Sequence, residues 1–145
     1  MTAPNIEGTY RLIRRELPDG TVQLPPVVKG VISFTKEFRN FSVVWRDDKG
    51  KFYSECYFAR YALTDKQYTE TQEYLIVNDQ IEGKGISYDL SSTTASSPVS
   101  CEGARVRFAL PQAFEKALSI IVEFEGAKLK ASGKGLFVDF WEKVS

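Results

Sequence analysis

From end to end the chain alternates short β-type runs with turn signals, and this cadence leaves no stretch for the helices of about 10–15 residues that a parallel sheet places between its strands. Residues 10–17 read as a strand that stops at Pro18-Asp19-Gly20, and Pro25-Pro26 then prevents regular pairing over the next few positions. Residues 29–35 (KGVISFT) and 38–46 (FRNFSVVWR) form the next two strands, followed by a turn at Asp47-Asp48-Lys49-Gly50. Two long strands, 51–64 and 67–77, bend at Asp65-Lys66. Shorter ones follow at 85–90, 104–110, 119–124, 127–131 and 136–144, with a hairpin at Glu125-Gly126. Residues 91–100 (SSTTASSPVS) nearly lack large apolar groups and read as a mobile surface loop. Residues 111–118 (PQAFEKAL) have the composition of one short helix, with its proline suited to the first turn.

This order of segments predicts an all-β fold, an antiparallel up-and-down arrangement of about eight or nine strands. A chain of 145 residues fits a single domain, residues 1–145, with a self-sufficient core. Aromatic side chains are abundant, at 10 Phe, 7 Tyr and 2 Trp, and they both favour strands and line pockets.

The 19 basic and 19 acidic side chains cancel, so no long-range field steers the protein toward nucleic acid or an anionic membrane, and neither is an expected partner. The opening MTAPN holds no basic segment or apolar run of a signal peptide, and a soluble, cytoplasmic protein is expected. Histidine is absent, which removes the commonest general base and a principal zinc and haem ligand. Cys56 and Cys101 show no CxxC spacing, so buried free thiols are expected, a disulfide being the alternative. The carboxylates are scattered among strands, and the Gly-Lys-Gly triplets at 83–85 and 133–135 sit in turn contexts rather than ahead of a helix. Neither a metal nor a nucleotide cofactor is expected.

Gly8-Thr9-Tyr10 with Leu12 is similar to the first-strand signature of the calycins, the lipocalin-like and fatty-acid-binding-protein-like barrels, whose pattern is Gly-x-Trp. Asp19-Gly20 followed by Lys29-Gly30 resembles the DG turn and KG-led strand of the bacterial lipocalin-like domain family, and Trp141-Glu142-Lys143-Val144 resembles its terminal WERV-like segment. Tyr61-Ala62-Leu63 and Tyr68-Thr69-Glu70-Thr71 resemble the FxLG…FxET passage of fatty-acid-binding proteins. The two-helix lid of those proteins has no counterpart in the Pro-interrupted residues between the first two strands, so the lipocalin-like branch fits better. The resemblance implies a closed β-barrel whose first and last strands meet around a small-molecule cavity.

In calycin barrels the aromatic of the first motif points inward, and strand alternation extends the assignment by twos. Tyr10, Leu12 and Arg14 would face in, with Phe41, Val43 and Trp45 from the third strand and Tyr53, Glu55, Tyr57, Ala59, Tyr61 and Leu63 from the fourth. Tyr68, Glu70, Gln72 and Tyr74 follow from the fifth, and Phe137, Asp139 and Trp141 from the last. A β-bulge would invert the assignment beyond it. Expected ligand contacts are Arg14, Phe41, Trp45, Tyr53, Tyr57, Tyr61, Glu70, Tyr74 and Asp139.

Stacking faces and hydroxyl groups suit a small semi-polar hydrophobic or aromatic molecule, polyketide-like in character; the bland alternative is a filled core in which Arg14 pairs with an acid. Where fatty-acid binders clamp a carboxylate with Arg-x-Tyr, this chain has Asp139-Phe140-Trp141, so a neutral or cationic ligand is expected. A non-catalytic binder leads, because a serine nucleophile would lack a histidine base and a GxSxG elbow. The alternative is a cyclase or isomerase acting on a polyketide- or terpenoid-like intermediate, with Glu70 or Glu55 of raised pKa beside Tyr57 or Tyr61. A strand edge or the barrel wall could also serve a homodimer.

Overall fold

A computed structural model describes residues 4–111 and 120–145. Its strands are β1 (Gly8–Glu16), β2 (Val22–Gln23), β3 (Val28–Phe34), β4 (Phe38–Arg46), β5 (Phe52–Leu63) and β6 (Gln67–Asp79). The second half supplies β7 (Gly85–Asp89), β8 (Thr94–Glu102), β9 (Arg105–Leu110), β10 (Ile120–Glu125), β11 (Lys128–Gly133) and β12 (Phe137–Lys143). With β2 and β7 set aside as additions to β1 and β6, ten strands pair antiparallel in an up-and-down ring. β12 closes it on β1, where Tyr10 opposes Lys143 and Leu12 opposes Trp141. The expected class and the meeting of the chain's two ends are therefore present. Closure matters energetically because β1 and β12 pair with each other instead of presenting two open edges.

The strand count exceeds the expected eight or nine partly because most of residues 91–100 are not a loop: β8 runs from Thr94 onward, leaving 91–93 outside any strand. Its inward positions Ala95, Ser97, Val99 and Cys101 are small, so the period-two signal is faint in hydropathy. The strand is held by hydroxyl pairs on its outer face, Thr94 with Thr71 and Ser96 with Thr69, both at 2.9 Å. On its inner face Ser97 Oγ donates to the Ala109 carbonyl at 2.5 Å. The helix expected over 111–118 lies outside the described residues, apart from Pro111, which belongs to no strand.

Two β-bulges decide which side chains reach the interior. Ile13 is extra in β1, since Leu12 opposes Trp141 while Arg14 already opposes Phe140. Glu73 is extra in β6, since Ala59 opposes Gln72 while Phe58 opposes Tyr74. Beyond each bulge the alternation inverts. Arg14 consequently lies on the outer wall, 4.0 Å over the Phe140 ring and 3.0 Å from Glu16, rather than inside. Tyr74 is likewise exposed and stacks on Phe58. Arg15 and Leu75 turn inward in their place.

The barrel end at which β1 begins is sealed by apolar packing. Ile6, Tyr10, Phe34, Tyr68, Phe108, Phe124 and Leu129 are buried there, and the Phe124 ring lies 5.3–5.9 Å from those of Tyr10, Phe34 and Phe108. Tyr10 donates its hydroxyl to the Ile6 carbonyl at 3.1 Å, and Tyr61 donates to that of Thr35 at 2.5 Å. Burial, with the nearby Glu7 and Tyr10, pushes the Tyr61 hydroxyl up to about 12. Midway along the barrel, the six-membered ring of Trp141 packs against Gly30, where a Cβ would stand 2.9 Å from Cη2 and 3.2 Å from the Ser42 carbonyl. Glycine at this strand position is what admits the indole.

The outer wall carries charge at Arg11, Lys29, Arg107, Glu123 and Lys130. Charge along the outer wall differs from the transmembrane barrel pattern, in which an apolar band faces outward. Among the described residues no helix is long and apolar enough to cross a membrane. Both cysteines are free thiols, but Cys56 is exposed on the outer wall rather than buried, because its position in β5 alternates with the inward Glu55 and Tyr57.

Candidate functional site: the polar half of the barrel interior

Opposite the sealed end, several inward-facing aromatic and aliphatic side chains are only half-buried. Phe41, Trp45, Tyr53, Val77 and Phe137 all point inward yet keep contact with solvent, whereas the sealed-end residues do not. The apolar interior also divides in two. Tyr57, Ala59 and Leu75 form a small cluster on the β5–β6 wall, separate from the main core, and Phe41 packs against both. The wall is interrupted at the same height: β6 pairs β8 through residues 67–71 and β7 through 75–79. Among the described residues the far edge of β7 pairs with no strand.

Two ion pairs lie within the barrel, Arg15–Asp139 in this half and Arg39–Glu70 at its border with the sealed end, where Arg39 opposes Phe34. Arg39 donates through Nε and Nη2 to Glu70 at 2.9 and 3.0 Å, reaching over β5 at Ala59, whose methyl side chain is fully buried and small enough to pass beneath. Tyr57 and Tyr68 each donate a hydroxyl to the same carboxylate at 2.6 Å, and the guanidinium lies 4.5 Å over the Tyr57 ring. Burial pushes the Glu70 carboxyl up, but the Arg39 charge and the bonds from Arg39, Tyr57 and Tyr68 outweigh it and hold it below its usual range. Burial and the Glu70 charge push the Tyr68 hydroxyl well above its usual value. An ionised carboxylate saturated by four donors is neither a proton donor nor a free ligand contact.

Arg15 donates through Nε and Nη2 to Asp139 at 2.7 and 2.9 Å, with its guanidinium 4.7 Å over Trp45 and 4.6 Å over Phe137. Here burial prevails, and the Asp139 carboxyl is raised despite the bonds and charge of Arg15. Trp45 in turn stacks on Tyr53 at 4.3 Å, and Tyr53 donates to Glu55 at 3.2 Å.

Of the expected contacts, Phe41, Trp45, Tyr53 and Tyr57 border the half-open interior, with Glu55 beside them; Glu70 and Asp139 face in but are engaged by arginines. Tyr61 belongs to the sealed end, and Arg14 and Tyr74 face out. Of the inward acids behind the expectation of a neutral or cationic ligand, Glu70 and Asp139 are already engaged by bidentate arginine partners, and Glu55 accepts from Tyr53. Arg39 was legible: it precedes Phe41 by two on the same strand, so the same alternation assigns it inward. Arg15 was not, because its inward turn depends on the bulge at Ile13. Among the described residues no group of His, Cys, Asp or Glu side chains is arranged to hold a metal.

The bulge makes a direct prediction. Arg15→Ala strips Asp139 of both charged donors and should cost about 1.5–3 kcal/mol, whereas Arg14→Ala, at a half-exposed pair, should cost under about 1 kcal/mol. Urea unfolding of the two variants reads this out; equal effects, or the reverse order, would contradict the register. Compared with protein-family models, with curated proteins and with solved structures, the chain matches none.

Proposed function

We propose that the protein binds a small semi-polar hydrophobic or aromatic molecule in the half-open part of its barrel, as the resemblance to lipocalin-like domains implies. The observation that carries this reading is the contrast between the two halves: inward aromatic faces at Phe41, Trp45, Tyr53 and Phe137 keep solvent contact, while those at the other end are sealed. Inward aromatic surface that is left wet is surface a ligand can cover at a gain. The carboxylate and arginine side chains there orient and rigidify the wall rather than meet the ligand's charge.

Titration with the uncharged fluorophore N-phenyl-1-naphthylamine tests the proposal. A saturable, one-to-one rise in fluorescence is expected, with affinity about tenfold weaker in Trp45→Ala, the loss of one stacking face, and unchanged in Tyr74→Ala. Non-saturable binding, or equal weakening by the outward Tyr74 substitution, would sink it.

A further inference from the structure

The interior polar groups are almost all accounted for. Arg39, Glu70, Tyr57 and Tyr68 bond one another, Arg15 bonds Asp139, Tyr53 bonds Glu55, and Tyr10, Tyr61 and Ser97 donate to backbone carbonyls. Two buried inward-facing atoms have no partner among the described residues: the indole Nε1 of Trp141 and the amide Oε1 of Gln72, each on a residue 2 % exposed. Arg14 Nε, the other buried nitrogen without a hydrogen bond, lies on the outer wall and is already ion-paired with Glu16.

The identity of the Gln72 atom is settled by chemistry. Its amide nitrogen donates to Ser91 Oγ at 3.4 Å, on the side of the Asp89 carboxylate, an acceptor whose pKa Ser91 and the Gln72 amide hold low, so the oxygen is the atom left over. The nitrogen side faces the point where β7 and β8 part from β6. Trp141 is fixed from the opposite wall, its six-membered ring against Gly30, so its N–H has no freedom to seek a partner. Phe41 joins the two positions. Its ring centroid lies 6.0 Å from that of Trp141, and it packs on the cluster containing Ala59, the residue directly opposite Gln72. Leaving a buried donor and a buried acceptor unpaired is costly and rare, and here the two have opposite hydrogen-bonding sense.

We infer that the barrel's ligand is an uncharged aromatic molecule bearing both a carbonyl and a hydroxyl group, the carbonyl accepting from Trp141 Nε1–H and the hydroxyl donating to Gln72 Oε1. The charge follows from the same inventory: both interior arginines are paired, so an anion has no cation to meet, and their two carboxylates are equally engaged. Stacking surface at Phe41 and Trp45 supplies the apolar contribution, and the two unpaired atoms supply orientation. This inference rests on the barrel being the binding site, and the test separates the two claims.

Affinities are compared for naphthalene, 2-acetylnaphthalene, 2-naphthol and 6-acetyl-2-naphthol against the wild type, Trp141→Phe and Gln72→Leu. In the wild type each polar group should tighten binding about fivefold over naphthalene, and the molecule carrying both should bind tightest. Trp141→Phe should erase the gain from the acetyl group alone and Gln72→Leu the gain from the hydroxyl alone, with naphthalene held within about twofold in both. If all four probes bind the wild type equally, or each variant weakens all probes alike, the inference is overturned while the barrel site stands. If none binds, the barrel site itself falls and the inference with it. A measurement on the unaltered protein guards against misfolded variants: the Trp141 indole proton resonance, assigned by its survival in Trp45→Phe, should move downfield with 2-acetylnaphthalene and not with naphthalene. An unmoved resonance at saturation overturns the contact.

Discussion

Replacing Arg39 with methionine is expected to destabilise the protein by about 3–5 kcal/mol, because the Glu70 carboxylate stays buried with its counter-charge removed. For a domain of this size that is a fall of roughly 10–15 °C in thermal midpoint, read by circular dichroism. Adding Glu70→Leu should recover part of the loss, since removing both charges avoids the uncompensated ion. Recovery should stay incomplete because the Tyr57 and Tyr68 hydroxyls, each 2.6 Å from Glu70, then lose their acceptor. Tyr57→Phe and Tyr68→Phe in that background should restore much of the remainder. A single Arg39→Met variant as stable as the wild type would refute the pairing.

The same variant has a pH signature whose sign follows from Glu70. Its carboxyl is held low in the folded wild type, so the stability it contributes is complete above its ordinary value of 4.5 and is lost as pH falls through the lower folded value. With Arg39 gone, burial acts without that opposition and raises the carboxyl, so the variant gains relative stability on acidification. The gap between the two proteins should therefore be widest near neutral pH and narrow in acid. A gap constant from about pH 7 down to about pH 4 would show that Arg39 acts through packing rather than charge.

Phe124→Ala is expected to cost a comparable amount, about 3–5 kcal/mol, through the transfer and cavity terms together. Its ring is 4 % exposed and lies edge-on to Tyr10 and Phe34 and stacked on Phe108, so no neighbour can collapse into the space without breaking another contact. Phe124→Leu should cost less, since more of the volume is kept. Because this cluster seals the end away from Trp45 and Tyr53, Phe124→Leu should leave N-phenyl-1-naphthylamine affinity within about twofold while lowering the denaturation midpoint. Affinity that falls in step with stability would show that the two ends are not separable.

The strands with strong period-two patterns were legible. β4 runs over Phe38–Arg46, the bounds its residues announce, and β5 keeps Glu55, Tyr57, Ala59 and Tyr61 inward as alternation requires. Alternation failed beyond Ile13 and Glu73, where one extra residue turned Arg14 and Tyr74 outward. It was silent in β8, because serine, threonine and alanine pack a barrel wall without a hydrophobic signature.

Sequence alone therefore determined the all-β class, the antiparallel order and the row of inward aromatics, since turn residues and a period of two act over a few positions. Only the tertiary structure decided the polar interior. Arg15 meets Asp139 across 124 residues, and Arg39 meets Glu70 over the small side chain of Ala59. Such pairs depend on bulges, register and the curvature of a closed ring, which exist only once distant strands have been brought together.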